Sequence, residues 1–146
     1  MRRFGEPVVP GRTYVSRPGA YALIVDGSDV LVTEQAEPVP EFQLPGGGID
    51  AGEGALAALH RECLEETGWR IAVIRRLGAY QRYAYMPEYD LWARKVCHIY
   101  LACPTLRRGP PSDSGHTAVW MPIATATAAL ASEGDRWFLA AATRQA

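Results

Sequence analysis

The chain has 146 residues and a formal net charge of −1, with 48% of its residues hydrophobic and 21% charged. This length suits one buried core and is too short for two ordinary domains, so we expect a single domain over residues 1–146. The near-balanced charge gives no general electrostatic reason to bind nucleic acid or a membrane surface, so a charged ligand must be held by a local site.

The N-terminal residues and the cysteines are typical of a cytosolic protein. Residues 1–7 lack the apolar run of a secretory signal, and no stretch approaches the ~20 apolar residues that a membrane span needs. Cys63, Cys97 and Cys103 form neither an even disulfide framework nor a CxxC pair with zinc spacing. We therefore expect a cytoplasmic location and reduced cysteines in the core.

The first elements in chain order are a hairpin and a short strand. The β-branched, apolar runs 21–25 and 30–32 flank turn-forming residues, which predicts a hairpin. A short strand at 42–44 then leads into the glycine cluster 46–48, which we expect to be a loop.

A helix is predicted next, over residues 53–67, which are mostly good helix formers, and Gly68 is its expected C-terminal stop. Leu56, Leu59 and Cys63 lie at i, i+3 and i+7, so we expect this apolar stripe to enter the core. The acidic residues beside the stripe can then face a cleft.

The second half of the chain predicts further strands followed by two helices. In the run 96–103, alternation places the odd-numbered residues toward a core. The segment 104–115 is rich in Pro, Gly, Ser and Arg and reads as a long polar loop, a length that often has a function. The elements together indicate a mixed α/β layered fold. The predicted strands are 71–74, 77–85, 96–103 and 117–121, and the predicted helices are 123–132 and 135–143.

Three glutamates stand together on the predicted central helix. Glu62, Glu65 and Glu66 fall at i, i+3 and i+4, so a helix puts them on one face. Hard cations such as Mg²⁺ prefer oxygen ligands and usually sit between carboxylates and substrate phosphates. Glutamates at this spacing are more often just a solvated helix face, so the surrounding residues decide between the two interpretations.

Those surrounding residues reproduce a Nudix box, without a gap, over residues 47–69. Seven specified residue types at roughly 5 to 8% usage coincide about once in 10⁸ starting points, and a chain of this size offers on the order of 10². The chain therefore resembles the Nudix hydrolases. The similarity extends to Leu44-Pro45-Gly46 before the box and to Trp120-Met121-Pro122 after it. The specified positions are Gly47, Glu53, Arg61, Glu62, Glu65, Glu66 and Gly68.

The resemblance implies a fold and an activity. The fold would be an α/β/α sandwich with a mixed β-sheet. The activity would be that of a Mg²⁺- or Mn²⁺-dependent pyrophosphohydrolase, cleaving a nucleoside diphosphate linked to another moiety. Metal ions neutralise the diphosphate oxygens and lower the pKa of water, which addresses the main barriers to hydrolysis. We expect a small-molecule nucleotide partner and no membrane or nucleic-acid partner, with monomer and homodimer both open.

The resemblance also implies roles for individual residues. Glu62, Glu65 and Glu66 would bind the metal, and the backbone carbonyl of Gly46 would complete the coordination. Glu65 or Glu66 could instead be the general base.

Glu53 and Arg61 would have a different role from these glutamates. The resemblance implies that they form a salt bridge or hydrogen bonds that hold loop and helix together. They would thus orient the site rather than take part in the chemistry.

Outside the box the chain departs from the family pattern. Many Nudix hydrolases carry another acidic residue on a later loop, but the glutamates often found just before the tryptophan are absent from residues 112–120. Asp113 and His116 stand there instead, and Glu88 and Asp90 lie on the other candidate loop. His116 is the first choice for an accessory base because its ordinary pKa is near neutral, and a loop hydrogen-bonding role is the alternative.

The sequence leaves substrate and competing functions open. A cluster of aromatic residues could stack on a nucleobase or pack among themselves. A Nudix-like module that senses nucleotides without hydrolysis is expected where box glutamates are missing, and all are present here. One further alternative is an isomerase on the same scaffold. Another is an enzyme acting on capped or triphosphorylated RNA ends, and the balanced charge of the chain argues against that one. The aromatic cluster is Tyr80, Tyr83, Tyr85, Tyr89 and Trp92, and the candidate phosphate contacts are Arg82, Arg94, Lys95, Arg107 and Arg108.

Overall fold

The computed structural model describes residues 1–37 and 39–144, and its strands belong to one sheet. The strands are β1 (Arg2–Gly5), β2 (Val15–Asp26), β3 (Asp29–Gln35), β4 (Glu41–Gln43), β5 (Gly46–Gly48), β6 (Trp69–Met86), β7 (Leu91–Arg107) and β8 (His116–Pro122). The helices are α1 (Ala55–Thr67), α2 (Ile123–Ala129) and α3 (Glu133–Arg144). Among the described residues, no helix is long and apolar enough to cross a membrane.

The sheet is mixed, as predicted. Its main path runs β1-β6-β7-β2-β3-β4, with β5 paired to β2 and β8 paired to β3. The pairs β1–β6 and β2–β7 are parallel, and the other pairs are antiparallel. Strands β2 and β7 therefore lie in the middle of the sheet.

Both faces of the sheet are covered by helices. Because successive side chains of a strand point to opposite sides, Leu23 belongs to one core and Ile24 to the other. The first core includes Leu139 of α3, and the second includes Leu59 and Cys63 of α1. The predicted α/β/α sandwich is confirmed by this arrangement.

Two predictions about the later strands need correction. One is where the strands begin and end, and the other is which side chains of β7 lie in a core. The runs 71–74 and 77–85 form one strand, β6, interrupted by register shifts rather than by a turn. Of the even-numbered residues in β7, which we did not expect in a core, Tyr100 and Ala102 are buried beneath α1. A strand covered on both faces buries both sets of side chains, so alternation alone understates its core. The polar loop starts later than predicted, because β7 continues to Arg107.

Two predictions around α1 were wrong. The cluster Gly46–Gly48 is not a loop, because it pairs with β2 as the short strand β5. Leu56 is 49% exposed and is not part of the core, where Ala58 is buried with Leu59 and Cys63. In the first turn of the helix Ala55, and not Leu56, is the residue that packs against the core, because neighbouring helical residues point about 100° apart.

The predicted end of α1 is correct, and the predicted burial of the cysteines is correct for two of the three. Gly68 ends α1 in the left-handed conformation, with φ 76°, and its N–H donates to the carbonyl of Leu64. Cys63 and Cys97 are buried free thiols, while Cys103 is only partly buried.

A buried polar contact ties α3 to the sheet. Tyr80 donates a hydrogen bond from its hydroxyl to Asp135 Oδ1 at 2.7 Å, and Ser132 Oγ lies 2.9 Å from the same hydroxyl. Burial raises the pKa of Asp135 to about 6, although the bond from Tyr80 and the charge of Arg82 act in the opposite direction. Folding therefore disfavours the ionised form of this carboxyl group.

This pKa shift predicts a pH dependence of stability. The native state binds the Asp135 proton more tightly than the unfolded chain, so the stabilisation is present near the ordinary pKa of 3.8 and is lost as the pH rises through about 6. Asp135→Asn removes this titration and keeps an oxygen that can accept from Tyr80. The unfolding free energy of wild type relative to the variant should fall by up to about 3 kcal/mol between roughly pH 4 and 7.

Urea unfolding of both proteins at several pH values measures this difference. A constant offset between the two proteins has no bearing on the prediction, because only its change with pH reports the titration. A difference that stays the same at every pH would contradict the assignment.

Candidate functional site

Helix α1 presents the three glutamates at different depths. The side chain of Glu66 is 9% exposed, that of Glu62 is 18% exposed and that of Glu65 is 45% exposed. At 100° per residue, Glu66 turns toward the sheet while Glu65 turns toward solvent. The face predicted from their spacing is thus present, with one buried, one half-buried and one open carboxylate.

The buried carboxylate of Glu66 contacts the glycine strand. The backbone N–H of Gly46 donates to Glu66 Oε2 at 3.2 Å. Burial raises the pKa of Glu66 to about 8, and the charges of Glu62, Asp113 and Glu65 add to the effect, while the bond from Gly46 opposes it. Glu66 is therefore a carboxylate held where negative charge is poorly solvated.

Gly46 allows this contact because of its backbone conformation and its lack of a side chain. Its φ is 144°, and a Cβ atom there would lie 2.2 Å from the backbone oxygen of Ala20. A residue with a side chain could not occupy this position without moving β5 away from β2. Gly46 therefore lies close to Glu66, and the two residues are in contact through the Gly46 N–H group.

Glu62 is held by the neighbouring arginine. Arg61 Nη1 donates to Glu62 Oε1 at 3.0 Å. The pKa of Glu62 is nevertheless raised, chiefly by burial, because the charge of Arg61 only partly offsets the loss of hydration. Arg61 also approaches Glu65 Oε2 at 3.5 Å. One guanidinium group is therefore shared among several carboxylates.

Arg61 forms a salt bridge with Glu53. Its Nε and Nη2 atoms donate to the two carboxylate oxygens of Glu53 at 2.8 and 2.9 Å, which is a bidentate pair. Glu53 Oε1 also accepts from the N–H of Asp50 at 3.1 Å. These bonds, led by that from Arg61, lower the pKa of Glu53 to about 2. The pair connects the segment before α1 with the middle of the helix.

The loop from 108 to 115 brings further polar groups to α1. The N–H of Arg108 donates to the carbonyl of Gly68 at 2.7 Å, and the N–H of Asp113 donates to that of Glu65 at 3.0 Å. These bonds satisfy carbonyl groups at the C-terminal end of the helix. The loop is thereby anchored next to Glu66.

His116 and Asp113, the substitutes found in the sequence, lie in this anchored region. His116 Nδ1 is 2.9 Å from Asp113 Oδ2, and His116 Nε2 is 3.9 Å from Glu66 Oε1. These three residues offer donor atoms that all lie within 4.8 Å of one another. Glu88 and Asp90, on the other candidate loop, both lie in the turn between β6 and β7 and are not members of this cluster.

A cleft of about 530 Å³ is lined by Glu62 together with basic and aromatic residues. Arg17 and Lys95, which pair in the register of β2 and β7, both line it. The guanidinium of Arg17 lies 4.4 Å from the ring centre of Tyr89, which also lines the cleft. We call this cavity the Glu62 cleft. A polar cleft of this size is within the range of small-molecule sites.

Sequence reasoning missed Arg17 and singled out aromatic residues with other roles. Arg17 could be recognised only from the parallel pairing of β2 with β7, which no local pattern reveals. Of the aromatic cluster, Tyr80 is a core residue, and Tyr83 packs edge-on against Tyr14 with ring centres 4.7 Å apart. Tyr89 is the member that lines the Glu62 cleft.

Comparison with known proteins places this site in a family context. The chain is 38% identical over 74 residues to a protein of Bacillus subtilis (strain 168) named "Putative 8-oxo-dGTP diphosphatase", covering 51% of this chain and 50% of that protein. It is 31% identical over 126 residues to the CMP-5'-(N-acetyl-N-hydroxy-3-aminopropyl)phosphonate hydrolase of Streptomyces rubellomurinus (strain ATCC 31215), covering 82% and 58%. The chain thus spans about half the length of these curated relatives.

Solved structures support the same fold. The crystal structure of the MutT protein from Methanosarcina mazei Go1 superimposes with a TM-score of 0.70 at 18% identity, covering 90% of this chain and 96% of that one. Residues 15–142 match the family model described as the NUDIX domain, a range that contains every element from β2 to α2 and most of α3. The chain belongs to the NUDIX domain family.

Proposed function

We propose that this chain, as a single domain, is a divalent-metal-dependent pyrophosphohydrolase that cleaves a nucleoside diphosphate linked to another moiety. The observation that carries the proposal is the convergence of three carboxylates from α1, one of which, Glu62, lines the same cleft as the cations Arg17 and Lys95. A diphosphate needs cations around its oxygens, and an ion bridging it to the protein needs carboxylates.

The residues fit a divalent cation. Burial raises the pKa values of Glu62 and Glu66, and the guanidinium group of Arg61, which contacts Glu62, is also paired with Glu53. Excess negative charge in a partly desolvated site is the environment that a bound cation stabilises. Oxygen donors suit Mg²⁺ and Mn²⁺, so Glu62, Glu65 and Glu66 would hold the ion, with the carbonyl of Gly46 as a further donor.

The ion would screen the diphosphate charge and make the attacking water more acidic. Neighbouring residues would hold the metal-binding carboxylates in position. Glu53 holds Arg61, and Arg61 in turn holds Glu62. Glu65, the most exposed of the three glutamates, and His116 are the two groups positioned to take a proton from water.

The Glu62 cleft supports a nucleotide as the substrate class. Arg17 and Lys95 would contact anionic oxygens, and Tyr89 offers an aromatic face beside them. The names of the two relatives denote enzymes acting on a nucleoside triphosphate and on a CMP derivative. Both names are consistent with a phosphoric anhydride or a closely related linkage at the bond that is cleaved.

Glu66→Gln and Glu65→Gln should abolish most turnover while leaving the fold intact. Each change keeps the size of the side chain and removes a negative charge, so kcat should fall by about 100-fold or more. The measurement is product release from nucleoside triphosphates, dinucleoside polyphosphates and nucleotide sugars, with Mg²⁺ and with Mn²⁺. The control is Glu6→Gln, which changes an exposed carboxylate after the edge strand β1 and should retain wild-type rates.

Circular dichroism checks that each variant is folded. If either active-site variant hydrolyses the panel as fast as wild type, the catalytic assignment is wrong. If wild type binds nucleotides from the panel but releases no product with either ion, the chain is a sensing module and not a hydrolase.

Gly47 supports the position of Glu62 by having no side chain. A Cβ atom at Gly47 would lie 2.6 Å from Glu62 Cδ, whereas one at Gly54 would meet nothing within 4 Å. The carboxylate is the end of a flexible side chain, so it would move aside without disrupting the core. Gly47→Ala is therefore a means of displacing one carboxylate while keeping every charge.

Gly47→Ala should lower kcat by about 100-fold, because a shift of about 1 Å in a positioned group can cost that much. Gly54→Ala is the matched control and should keep its activity. Steady-state kinetics on the best substrate of the panel, with thermal unfolding of both variants, measures the effect. Equal kcat values for the two alanine variants would show that the position of Glu62 is not critical.

A further inference from the structure

His116 places a nitrogen donor beside the buried carboxylate. The imidazole side chain is 16% exposed, and its Nε2 faces Glu66 Oε1 at a distance of 3.9 Å. This separation is too long for a hydrogen bond. It is shorter than twice the metal–ligand distance of about 2.0–2.2 Å, so one ion between the two atoms could bind both.

The hydrogen bond to Asp113 determines which imidazole nitrogen is free. His116 Nδ1 lies 2.9 Å from Asp113 Oδ2. A carboxylate can only accept, so Nδ1 carries the proton and donates it. In the neutral ring Nε2 then has its lone pair directed away from Asp113. Metal-binding histidines are commonly oriented in this way, by a carboxylate on the other nitrogen.

Glu66 supplies a second, independent observation. Its side chain is 9% exposed, and its Oε2 accepts from the N–H of Gly46. Within residues 1–37 and 39–144, no group donates a hydrogen bond to the other oxygen, Oε1, which is the atom that faces His116. Because no buried side-chain oxygen of the described residues lacks a hydrogen-bond partner, Oε1 is open to solvent and is accessible to a cation.

We propose that His116 Nε2 and Glu66 Oε1 bind the same divalent ion, and that this mixed nitrogen and oxygen site selects Co²⁺ over Mg²⁺. The inference rests on the proposed function and adds a ligand and an ion preference to its metal centre. Imidazole suits first-row transition ions, whereas Mg²⁺ prefers oxygen donors alone. Asp113 is a positioning residue that acts through His116.

This assignment also makes His116 a metal ligand and gives the role of proton acceptor to a different residue. A nitrogen that binds the ion cannot at the same time accept the proton from water. His116 would therefore be a ligand. Glu65, whose side chain is 45% exposed, could bind the ion through one carboxylate oxygen and accept the proton with the other. The loop from 108 to 115 would then serve to bring Asp113 and the following His116, the first residue of β8, close to α1.

Pulsed electron paramagnetic resonance on the full chain loaded with Mn²⁺ tests the ligand directly. A nitrogen bound to Mn²⁺ produces ¹⁴N modulation of the electron spin echo, and carboxylates do not. We expect this modulation in wild type and its loss in His116→Gln. The chain has two other histidines, so His60→Gln and His98→Gln are matched controls that should retain it.

The outcomes separate the inference from the function on which it rests. Mn²⁺ that binds in the wild-type chain without ¹⁴N modulation overturns the ligand assignment and leaves the proposed metal centre intact. Absence of any Mn²⁺ binding overturns both. A wild-type spectrum without modulation overturns the assignment whatever the folding of the variants, and where modulation is present the three histidine variants identify which residue supplies the nitrogen.

Ion selectivity provides a second measurement. Competition titrations with Co²⁺ and Mg²⁺ should show that His116→Gln weakens Co²⁺ binding by about 10- to 100-fold and changes Mg²⁺ binding by less than about threefold. Equal losses for the two ions would overturn the proposed selectivity.

Discussion

The close approach of α1 to the glycine strand β5 is the constraint on which the candidate site depends. Gly46 donates its N–H to the Glu66 carboxylate at 3.2 Å, and its own conformation, with φ 144°, excludes a side chain. A buried carboxylate costs free energy unless hydrogen bonds or a cation compensate for the lost hydration. The contact with Gly46 is one such compensation, and we propose that a divalent ion is the other.

The surrounding elements hold that arrangement from three sides. Leu59 and Cys63 fix α1 on the sheet, and the bidentate pair of Arg61 with Glu53 fixes the segment that precedes the helix. The loop from 108 to 115 is hydrogen-bonded to the C-terminal end of α1 and carries Asp113 to it. Core packing, ion pairing and backbone hydrogen bonds thus act on one helix, and the graded exposure of its glutamates follows from that position.

Local periodicity predicted the parts of the site that belong to one element. The common face of Glu62, Glu65 and Glu66 follows from helix geometry, and the spacing of the Nudix box gave the family. Periodicity gives the direction of a side chain but not its depth, which is why Leu56 was wrongly placed in the core. Glycines are poor strand formers by propensity, so the pairing of β5 with β2 could be found only from tertiary structure.

Contacts between distant segments were outside the reach of these patterns. The distance of His116 from Glu66 depends on how the preceding loop packs, so the sequence could rank His116 only by its position. Arg17 joins Lys95 through a parallel strand pair whose register has no local signal. The hydrophobic pattern specifies which elements form, whereas the cleft depends on how remote elements are aligned.

The central claim is that the glutamates of α1 hold a divalent ion. Anomalous diffraction from crystals of the chain soaked with Mn²⁺ tests this most directly. We expect an anomalous peak about 2.0–2.5 Å from carboxylate oxygens of Glu62 and Glu66. Peaks only at carboxylates away from α1, or no peak at a Mn²⁺ concentration that supports turnover, would contradict it.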